Sequence, residues 1–473
     1  MTSVPASVLA DRYASDEMVA LWSPEEKVRL ERRLWIGVLA AQVDAGFAVP
    51  DGALDDYRAK VDHVDLASIR ERELVTRHDV KARIEEFNAL AGHELVHTGL
   101  TSRDVTENVE QLQVRMGLDL VRRRVVATLA RLGALAETHR DLVMAGRSHN
   151  VAAQPTTLGK RFATVGEELL SALERIDDLR ARMRLRGLRG PVGTQQDLVD
   201  LIGDADAVDT IEASVARELG FDRVAGSVGQ VYPRSWDFDV VSALLQMSSA
   251  PGNLALGIRL MAGQELVTEG FAEGQVGSSA MPHKMNTRSC ERVGGLVTIL
   301  RGHVAMAASL VGDQWNEGDV SCSVVRRVVL PDAFYAADGL LATTVSVLDE
   351  FGAYPAVISA ELSRYLPFLA STRVLVAAVQ RGMGREQAHH VVRGHAVAVA
   401  RDMRERAAGN DLLDRLAADE RVPLDRAALD ELLAHPSELV GTAPRQVDRF
   451  VEAVGRVVAG DPDAGAWKPA PVL

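Results

Sequence analysis

The chain has 473 residues and a formal net charge of −13, and 47% of its residues are hydrophobic while only 4% are aromatic. This length is enough for two or three domains, and so few aromatic residues favour packed helices over sheets. The negative charge argues against a protein that coats nucleic acid. Cys290 and Cys322 fit neither a disulfide framework nor a zinc knuckle, so we expect a reducing compartment.

The N-terminal twenty residues lack the order of basic, apolar and small residues that marks a signal peptide. No uncharged apolar stretch approaches the roughly 18 to 20 residues that span a bilayer. The basic run from Arg180 to Arg189 carries five arginines and is typical of the solvated end of an amphipathic helix. We therefore expect a soluble, cytoplasmic protein that binds neither nucleic acid nor a membrane.

Apolar residues recur at helical spacing over long windows, and the alternation that marks strands is scarce. The pattern predicts long helices over residues 118–135, 162–179, 236–269, 291–310 and 331–348. Long helices with short connections favour an antiparallel bundle. We predict an all-α fold with an N-terminal helical domain (1–103), a central long-helix bundle (104–357), and a C-terminal helical domain and tail (358–473).

The segment from Gly277 to Asn286, GSSAMPHKMN, suits neither a helix surface nor a helical core. Its Gly-Ser-Ser opening is flexible and rich in backbone donors, and Pro282 fixes its far side. A loop with only a structural role seldom brings side chains such as His283, Lys284 and Asn286 so close together. This segment is the strongest candidate for the chemistry of the protein.

Three further segments combine a histidine with neighbours suited to polar ligands. GRSHNVAAQPTTLGK (146–160) places His149 in a turn before a helix, which Pro155 is suited to open. TRHDV (76–80) and HTGLTSRDVTEN (97–108) have side chains suited to anionic or hydroxylated ligands. Each of the three is weak evidence alone, because a lone histidine is more often structural.

Residues His93 to His97 spell HELVH, the pattern in which two histidines of zinc proteases share one helix face. So short a pattern also occurs by chance, and no clear third ligand follows it. We therefore expect no metal site. A zinc hydrolase is the remote alternative.

Together these segments resemble the adenylosuccinate lyase family of the fumarase/aspartase superfamily. GSSAMPHKMN is similar to the signature loop of the superfamily. The stretch 12–23 (RYASDEMVALWS) and the three histidine segments match the family's motifs in order. Further matches are GPVGT (190–194), GQVYPR (229–234) and the segment 315–327, so the resemblance covers nearly the whole chain.

The resemblance implies that fumarate is released from succinylated purine nucleotides in purine biosynthesis, without a cofactor. One expected substrate is adenylosuccinate, which gives AMP, and the other is succinylaminoimidazole carboxamide ribotide. The implied subunit has three helical domains. Four subunits form a homotetramer with a twenty-helix core, in which each active site draws segments from three chains.

The resemblance also assigns catalytic roles to six residues: Ser278, His149, Lys284, Asn286, Glu291 and His78. Ser278 is the general base, and His149 is the acid that protonates the departing nitrogen. Lys284 and Asn286 hold the charge that develops on the substrate carboxylate. Glu291, seven residues after Lys284 and so expected on the same side of a following helix, is the acidic partner of the histidine. His78 binds the substrate.

Ten more residues are implied as substrate ligands: Arg12, Tyr13, Asp79, His97, Thr101, Ser102, Ser148, Gln230, Ser323 and Arg327. Thr101 and Ser102 suit the succinyl carboxylate, whereas Arg12, Tyr13 and Arg327 suit the phosphate. One departure from the family pattern concerns this set. In WNEGDVSCSVVRR (315–327), Gly318 stands where the family usually has an arginine.

Two alternatives from within the superfamily stay open. The chain resembles lyases of the argininosuccinate or 3-carboxymuconate type less closely, because TRHDV and RYASDEM favour adenylosuccinate. An inactive protein that keeps only the fold is the other alternative. The presence of Ser278, His149, Lys284 and Glu291 argues against it.

Overall fold

The computed structural model describes residues 7–270, 281, 283–319 and 321–470, so the predicted base Ser278 lies outside the described residues. In chain order the helices are α1 (Val8–Arg12), α2 (Asp16–Leu21), α3 (Pro24–Asp44), α4 (Ala53–Lys60), α5 (Leu66–Thr76), α6 (Asp79–Ala91), α7 (Ser102–Thr138), α8 (Leu158–Arg182), α9 (Gln196–Ile202), α10 (Ala205–Glu218), α11 (Ser235–Ala262), α12 (Arg288–Ala308), α13 (Ser321–Glu350), α14 (Pro355–Leu369), α15 (Ser371–Gln380), α16 (Arg385–Arg406), α17 (Leu412–Ala417), α18 (Arg426–Leu433), α19 (Ala443–Gly460) and α20 (Pro462–Ala466). The strands are β1 (Val143–Ser148), β2 (Val151–Thr157), β3 (Val267–Thr268) and β4 (Gly352–Ala353). The prediction of an all-α fold is confirmed.

Five long helices, α7, α8, α11, α12 and α13, share one hydrophobic core at the centre of the molecule. Helices α7 and α13 run in the same direction. Arg103 at the start of α7 contacts Ser323 at the start of α13, and Arg131 contacts Asp349 near their ends. Helix α8 runs back along α7, because it begins where α7 ends. The start of α7 therefore lies at one end of the bundle and the start of α8 at the other.

Two smaller cores flank the bundle. The N-terminal core packs α3 and α6 against the first turns of α7 and against α10. It includes Leu188 and Val215, which the predicted boundary at residue 103 places in the central domain. The C-terminal core is built from α15 to α18. The domain boundaries stay a prediction.

A β-hairpin stands where the sequence predicts a helix start. Strand β1 pairs antiparallel with β2, and Pro155 lies within β2 opposite Ala145. Helix α8 begins three residues later, and Thr157 caps it by accepting from the backbone N–H of Lys160 at 3.1 Å. The prediction that Pro155 opens the helix was wrong. A threonine N-cap does so, because it satisfies a free backbone donor.

The basic run between Arg180 and Arg189 is the solvated helix end that the sequence predicts only in its first half, where Arg180 and Arg182 lie in the last turn of α8. Helix α8 ends at Arg182, and Arg186 beyond it is fully buried. The guanidinium of Arg186 lies 2.5 Å from Asp104, and that of Arg189 lies 2.8 Å from Glu212. A buried arginine requires such a carboxylate partner. The second half of the run is therefore structural.

Within the described residues, two segments are long and apolar enough to cross a membrane by length and composition alone. In Ser321–Glu350, 83% of the most apolar window is buried, as in the core helix of a soluble protein. In Pro355–Gln380 the buried share is 28%, but this segment is divided between α14 and α15. Two such segments are weak evidence for a membrane location.

Candidate active site

The first group of candidate residues lies at the start of helices α6, α7 and α13. His78 is the N-cap of α6, where its Nδ1 accepts from the backbone N–H of Lys81 at 3.2 Å, and its side chain is 52% exposed. Beside it, Asp79 pairs with Arg327 of α13 at 3.2 Å. Burial would raise the pKa of Asp79, but Arg83 and Arg327 outweigh it and lower that pKa. Asp79 is therefore held as a carboxylate that links α6 to α13.

Thr101 and Ser102 are fixed at the start of α7 by a capping box. The backbone N–H of Thr101 donates to Asp104 at 2.8 Å, and the threonine side chain accepts from the third residue of the helix. Asp104 is fully buried and also accepts from the backbone N–H groups of Arg189 and Gly190. One carboxylate therefore joins the start of α7 to the turn at residues 186–190.

Gln230 and Ser323 lie at the same end of the bundle. The backbone N–H of Gln230 donates to the carbonyl of Glu317 at 2.7 Å, which ties the GQVYPR segment to the residue before Gly318. Ser323, in the first turn of α13, accepts from the guanidinium of Arg103 at 2.8 Å. His78, Asp79, Thr101, Ser102, Gln230, Ser323 and Arg327 thus belong to one group.

His97 is a packed residue of the N-terminal core. Trp35 donates its indole N–H to His97 Nδ1 at 3.2 Å, and burial lowers the pKa of His97 to about 4. His93 instead contacts Asp56 at 2.8 Å, and residues 93–97 form no helix. The shared helix face that the zinc pattern requires is therefore not present. No cluster of three potential metal-binding side chains occurs in the described part of the chain.

The second group is the tip of the β1–β2 hairpin. Ser148, His149 and Asn150 are all exposed there, and His149 and Asn150 have positive φ angles of 52° and 60°. Below the tip, Arg147 pairs with Glu361 of α14, so the hairpin is held while its tip projects. The sequence prediction of His149 in a turn is confirmed, although the turn joins two strands.

The third group lines a cavity of about 440 Å³ at the end of α11. Lys284 and Asn286 contribute to its wall, together with Glu269 and Tyr354. The carboxylate of Glu269 is buried and accepts from the backbone N–H groups of Ser289 and Cys290, both at 2.9 Å, so it caps α12.

Glu291 does not occupy the position that its spacing from Lys284 suggests. Helix α12 begins at Arg288, so Lys284 lies before the helix and shares no helix face with Glu291. Glu291 is exposed, and the guanidinium of Arg259 lies 3.9 Å from its carboxylate. The spacing argument was wrong, because Lys284 and the three residues that separate it from Arg288 are not helical, and the helical repeat does not extend back to Lys284. Its role as a partner of His149 stays a prediction.

Arg12 and Tyr13 lie at the end of α1, against α13. The backbone and Cβ of Tyr13 approach Gly339 so closely that a Cβ atom there would lie 2.7 Å from the Tyr13 carbonyl oxygen. The guanidinium of Arg292, on α12, lies 5.7 Å from the centre of the Tyr13 ring. Tyr13 is therefore placed near the first turn of α12, at a distance from His78 and Thr101 along the bundle.

Unusual backbone angles concentrate in the same motifs. Of the eight described residues other than glycine with positive φ, five lie in the segments that the sequence singles out: Arg77, His97, His149, Asn150 and Asn316. Such angles cost of the order of 1 kcal/mol and persist where the surrounding structure enforces them, often at functional sites. This concentration supports a functional role for these motifs.

One chain does not bring the three groups together. Helix α7 has 37 residues and is therefore about 55 Å long, with Thr101 at its start and the hairpin beyond its end. The hairpin and Lys284 both lie near the end of α11 but line different cavities, one with Arg147 and Met261 and the other with Ala262. A site that uses His78, His149 and Lys284 together requires more than one chain.

Sequence reasoning missed two residues of the first group. Arg103 contacts Ser323, and Asp104 organises the start of α7. The sequence did contain a pattern that predicts the role of Asp104, because a threonine followed three residues later by an acidic residue marks a capping box. No local pattern predicts the role of its partner Arg186, since only the folded chain shows that Arg186 is buried.

Two family models match the chain. One, for lyases, matches residues 41–302, and the other, for the adenylosuccinate lyase C-terminus, matches residues 367–450. The adenylosuccinate lyase of Saccharomyces cerevisiae is 35% identical over 452 residues, which cover 94% of this chain and 93% of that protein. The adenylosuccinate lyase of Schistosoma mansoni is 34% identical over 449 residues, with the same coverage of 94% and 93%.

Solved structures share the fold. The 3-carboxy-cis,cis-muconate lactonizing enzyme from Pseudomonas putida has a TM-score of 0.82 at 22% identity, over 95% of this chain and 99% of that chain. A fumarate lyase from Mesorhizobium sp. BNC1 has a TM-score of 0.80 at 24% identity, over 93% and 98%. At these identities the likeness concerns the fold alone.

Proposed function

We propose that three groups of side chains release fumarate in this chain, which belongs to the adenylosuccinate lyase family. The protein is a carbon–nitrogen lyase: it converts adenylosuccinate to AMP, and succinylaminoimidazole carboxamide ribotide to the aminoimidazole carboxamide ribotide. The observation that carries this function is the identity of 35% with a named adenylosuccinate lyase over 94% of the chain.

The elimination needs a base, an acid and a fixed cation. The base removes a proton from the carbon next to a succinyl carboxylate, the C–N bond breaks, and the departing nitrogen takes a proton. Negative charge accumulates on the carboxylate before the bond breaks. Fixed donors that face this charge lower the barrier, because they need no reorganisation during the step.

Lys284 and Asn286 fit the role of these donors. Both line one cavity, and an ammonium and an amide complement each other as a point charge and a directed donor. Ser278, in the same segment, is the proposed base, although it lies outside the described residues. His149 is the proposed acid, since an imidazole changes its charge near neutral pH and the exposed hairpin tip leaves it accessible.

The first group of residues is suited to holding the substrate. Thr101 and Ser102 stand at the start of α7, where the helix dipole favours a carboxylate. Arg327 supplies a guanidinium for the phosphate, and its pairing with Asp79 keeps it next to His78. We assign Arg12 and Tyr13 to the phosphate by resemblance alone, because they lie away from this group.

The separation of the groups supports a homotetramer with shared sites. Antiparallel packing of two bundles about 55 Å long would bring the start of α7 in one chain close to the hairpin of another. Helices α11 and α12 have surfaces suited to such packing, since Leu256, Leu260 and Ile299 are exposed. Gly294 and Gly302 of α12 have open space around them, which permits close helix approach. We also propose a cytoplasmic location, from the sequence alone.

The alternatives have less support. A superfamily lyase of the argininosuccinate or 3-carboxymuconate type is not favoured, because the named relatives with 30% identity or more are adenylosuccinate lyases. A zinc hydrolase would use HELVH, in which His93 and His97 have separate partners.

An ultraviolet absorbance assay with each succinylated nucleotide, run in the presence of a metal chelator, tests the function. We expect turnover of both substrates, with fumarate formed in equal amount to the nucleotide product. Turnover of argininosuccinate instead, or activity that chelator abolishes and zinc restores, would contradict it.

Mixing two inactive variants tests the shared site. His78→Ala and His149→Ala chains are mixed in equal amounts, partly denatured and reassociated. Each site takes the two histidines from different chains, so random assembly leaves roughly a quarter of the sites intact. A matched control mixes His149→Ala with the His78→Ala/His149→Ala double variant and should stay inactive. Hybrids confirmed by mass that remain inactive in the first mixture would show that one chain supplies both residues.

A further inference from the structure

Arg103 lies between two predicted substrate ligands but has no assigned role. Its guanidinium donates to Ser323 Oγ at 2.8 Å, and the residue directly follows Ser102. Its side chain is 10% exposed, so it is mostly but not completely buried. Ser323 and Arg327 are four residues apart on α13 and therefore share one helix face. Arg103, Ser323 and Arg327 thus form one cluster of donors.

The buried carboxylate next to this cluster neutralises Arg103 only in part, because three arginines share it. Glu107 is fully buried and is shared by Arg103 at 3.2 Å, Arg234 at 2.7 Å and Arg326 at 3.1 Å. Arg234 and Arg326 have a second carboxylate in Asp237. For Arg103, Glu107 is the one carboxylate within 4.0 Å in the described part of the chain. The guanidinium therefore has donors and charge available for an anion.

The guanidinium of Arg103 lies close to Gly318, the position at which the family usually has an arginine. Its Nη2 lies 3.5 Å from the carbonyl oxygen of Asp319, the residue after Gly318. Gly318 has φ +146°, and a Cβ there would lie 3.1 Å from the Cβ of Gln230 and 3.2 Å from Val231. The backbone at this position thus disfavours a side chain, and α7 supplies a guanidinium to the same place.

We propose that Arg103 binds the phosphate of the substrate, together with Ser323 and Arg327, in place of the arginine that Gly318 replaces. This proposal rests on the proposed function, which supplies a nucleotide with one phosphate. A planar guanidinium offers two parallel donors to a phosphate. The donation to Ser323 Oγ also leaves the hydroxyl proton free to point at the same anion. The first turn of α13 adds the favourable end of a helix dipole.

Calorimetric titration of the whole protein with AMP, and separately with fumarate, tests this assignment. AMP carries the phosphate and fumarate carries the carboxylates, so the two products report on different ends of the site. Arg103→Gln should weaken AMP binding roughly 10- to 100-fold, because a charge-assisted contact is lost, and leave fumarate binding within about twofold. Arg103→Lys keeps the charge and should retain a larger part of the affinity than Arg103→Gln.

Arg122→Gln is the matched control, since Arg122 lies on the same helix and pairs with Asp177 and Asp461 away from this cluster. It should leave both titrations unchanged. Unchanged AMP binding in Arg103→Gln would overturn the proposal, as would an equal loss for AMP and fumarate. Binding is measured without turnover, so a wild-type protein that binds AMP but does not release fumarate would contradict the proposed function and leave this test intact.

Discussion

The two ends of helix α7 carry candidate site residues in opposite physical settings. At its start, Asp104 and Glu107 are fully buried and accept from several donors, so Thr101, Ser102 and Arg103 are held in place before any ligand arrives. Beyond its end, the hairpin presents Ser148, His149 and Asn150 to solvent. The first end is therefore ordered by its own buried contacts, whereas the second projects into solvent, where the proposed tetramer would place another chain.

This difference separates residues whose buried charges stabilise the fold from exposed residues that contribute little to its stability. A buried carboxylate that loses its arginine partner, or the reverse, leaves an uncompensated charge in a medium that solvates it poorly. Removal of an exposed histidine at a hairpin tip leaves no uncompensated charge buried in the protein. Substitutions at the buried end should therefore lower stability, whereas substitutions at the hairpin tip should lower activity without loss of stability.

His149→Ala should lower kcat roughly 10²- to 10⁴-fold for both substrates, which is the usual contribution of a general acid. The midpoint of thermal unfolding should stay close to that of the unchanged protein, because the side chain is exposed. His389→Ala, at an exposed position of α16, is the control and should alter neither quantity. A well-folded His149→Ala protein with near-normal kcat would contradict the assigned role.

Asp104→Asn should lower the free energy of unfolding by roughly 3 to 5 kcal/mol, because it leaves the guanidinium of Arg186 buried without its carboxylate. Chemical denaturation monitored by circular dichroism measures the change. The contrasting substitution is Asp448→Asn, which breaks the exposed pair with Arg140 next to the hairpin. It should have almost no effect, since solvent screens that pair. Equal losses in the free energy of unfolding of the two variants would contradict the difference in stability between the two ends of α7.

The pH dependence of stability should reflect His97 at the buried end. Burial lowers its pKa to about 4 in the folded protein, against about 6.5 in the unfolded chain, so the unfolded state binds more protons between these values. The stabilisation that the neutral, buried His97 gives is present in full above pH 6.5 and is lost as the pH falls towards 4. The total change in the free energy of unfolding is at most about 3 kcal/mol. His97→Gln should flatten this slope, whereas exposed His63→Gln should not. An unchanged slope in His97→Gln would contradict the assignment.

The sequence predicts the helices and motifs well, because apolar periodicity and short motifs are local properties. The helices predicted over residues 118–135 and 162–179 lie within α7 and α8, and His149 lies in a turn as predicted. The hairpin was missed because its strands, VMAGRS and VAAQPTT, do not alternate apolar and polar residues, and because Pro155 is also a common first residue of helices. The buried role of Arg186 was missed because burial depends on Asp104, which is 82 residues away in the chain. Interactions between distant residues leave no local pattern.

Gly318→Ala should have a smaller effect and tests how rigidly the buried end of α7 holds the neighbouring turn. At φ +146° an alanine is strained, and its Cβ would lie 3.1 Å from the Cβ of Gln230, so we expect a loss of roughly 1 to 2 kcal/mol in the free energy of unfolding. Gly312→Ala, at φ +77° with nothing near its Cβ, is the matched control for backbone strain without crowding. Because Gln230 is bonded to Glu317 at 2.7 Å, crowding at residue 318 should also raise KM more than it lowers kcat. A Gly318→Ala protein with unchanged KM would show that this turn adjusts without moving Gln230, and that the start of α7 is less rigid than its buried charges indicate.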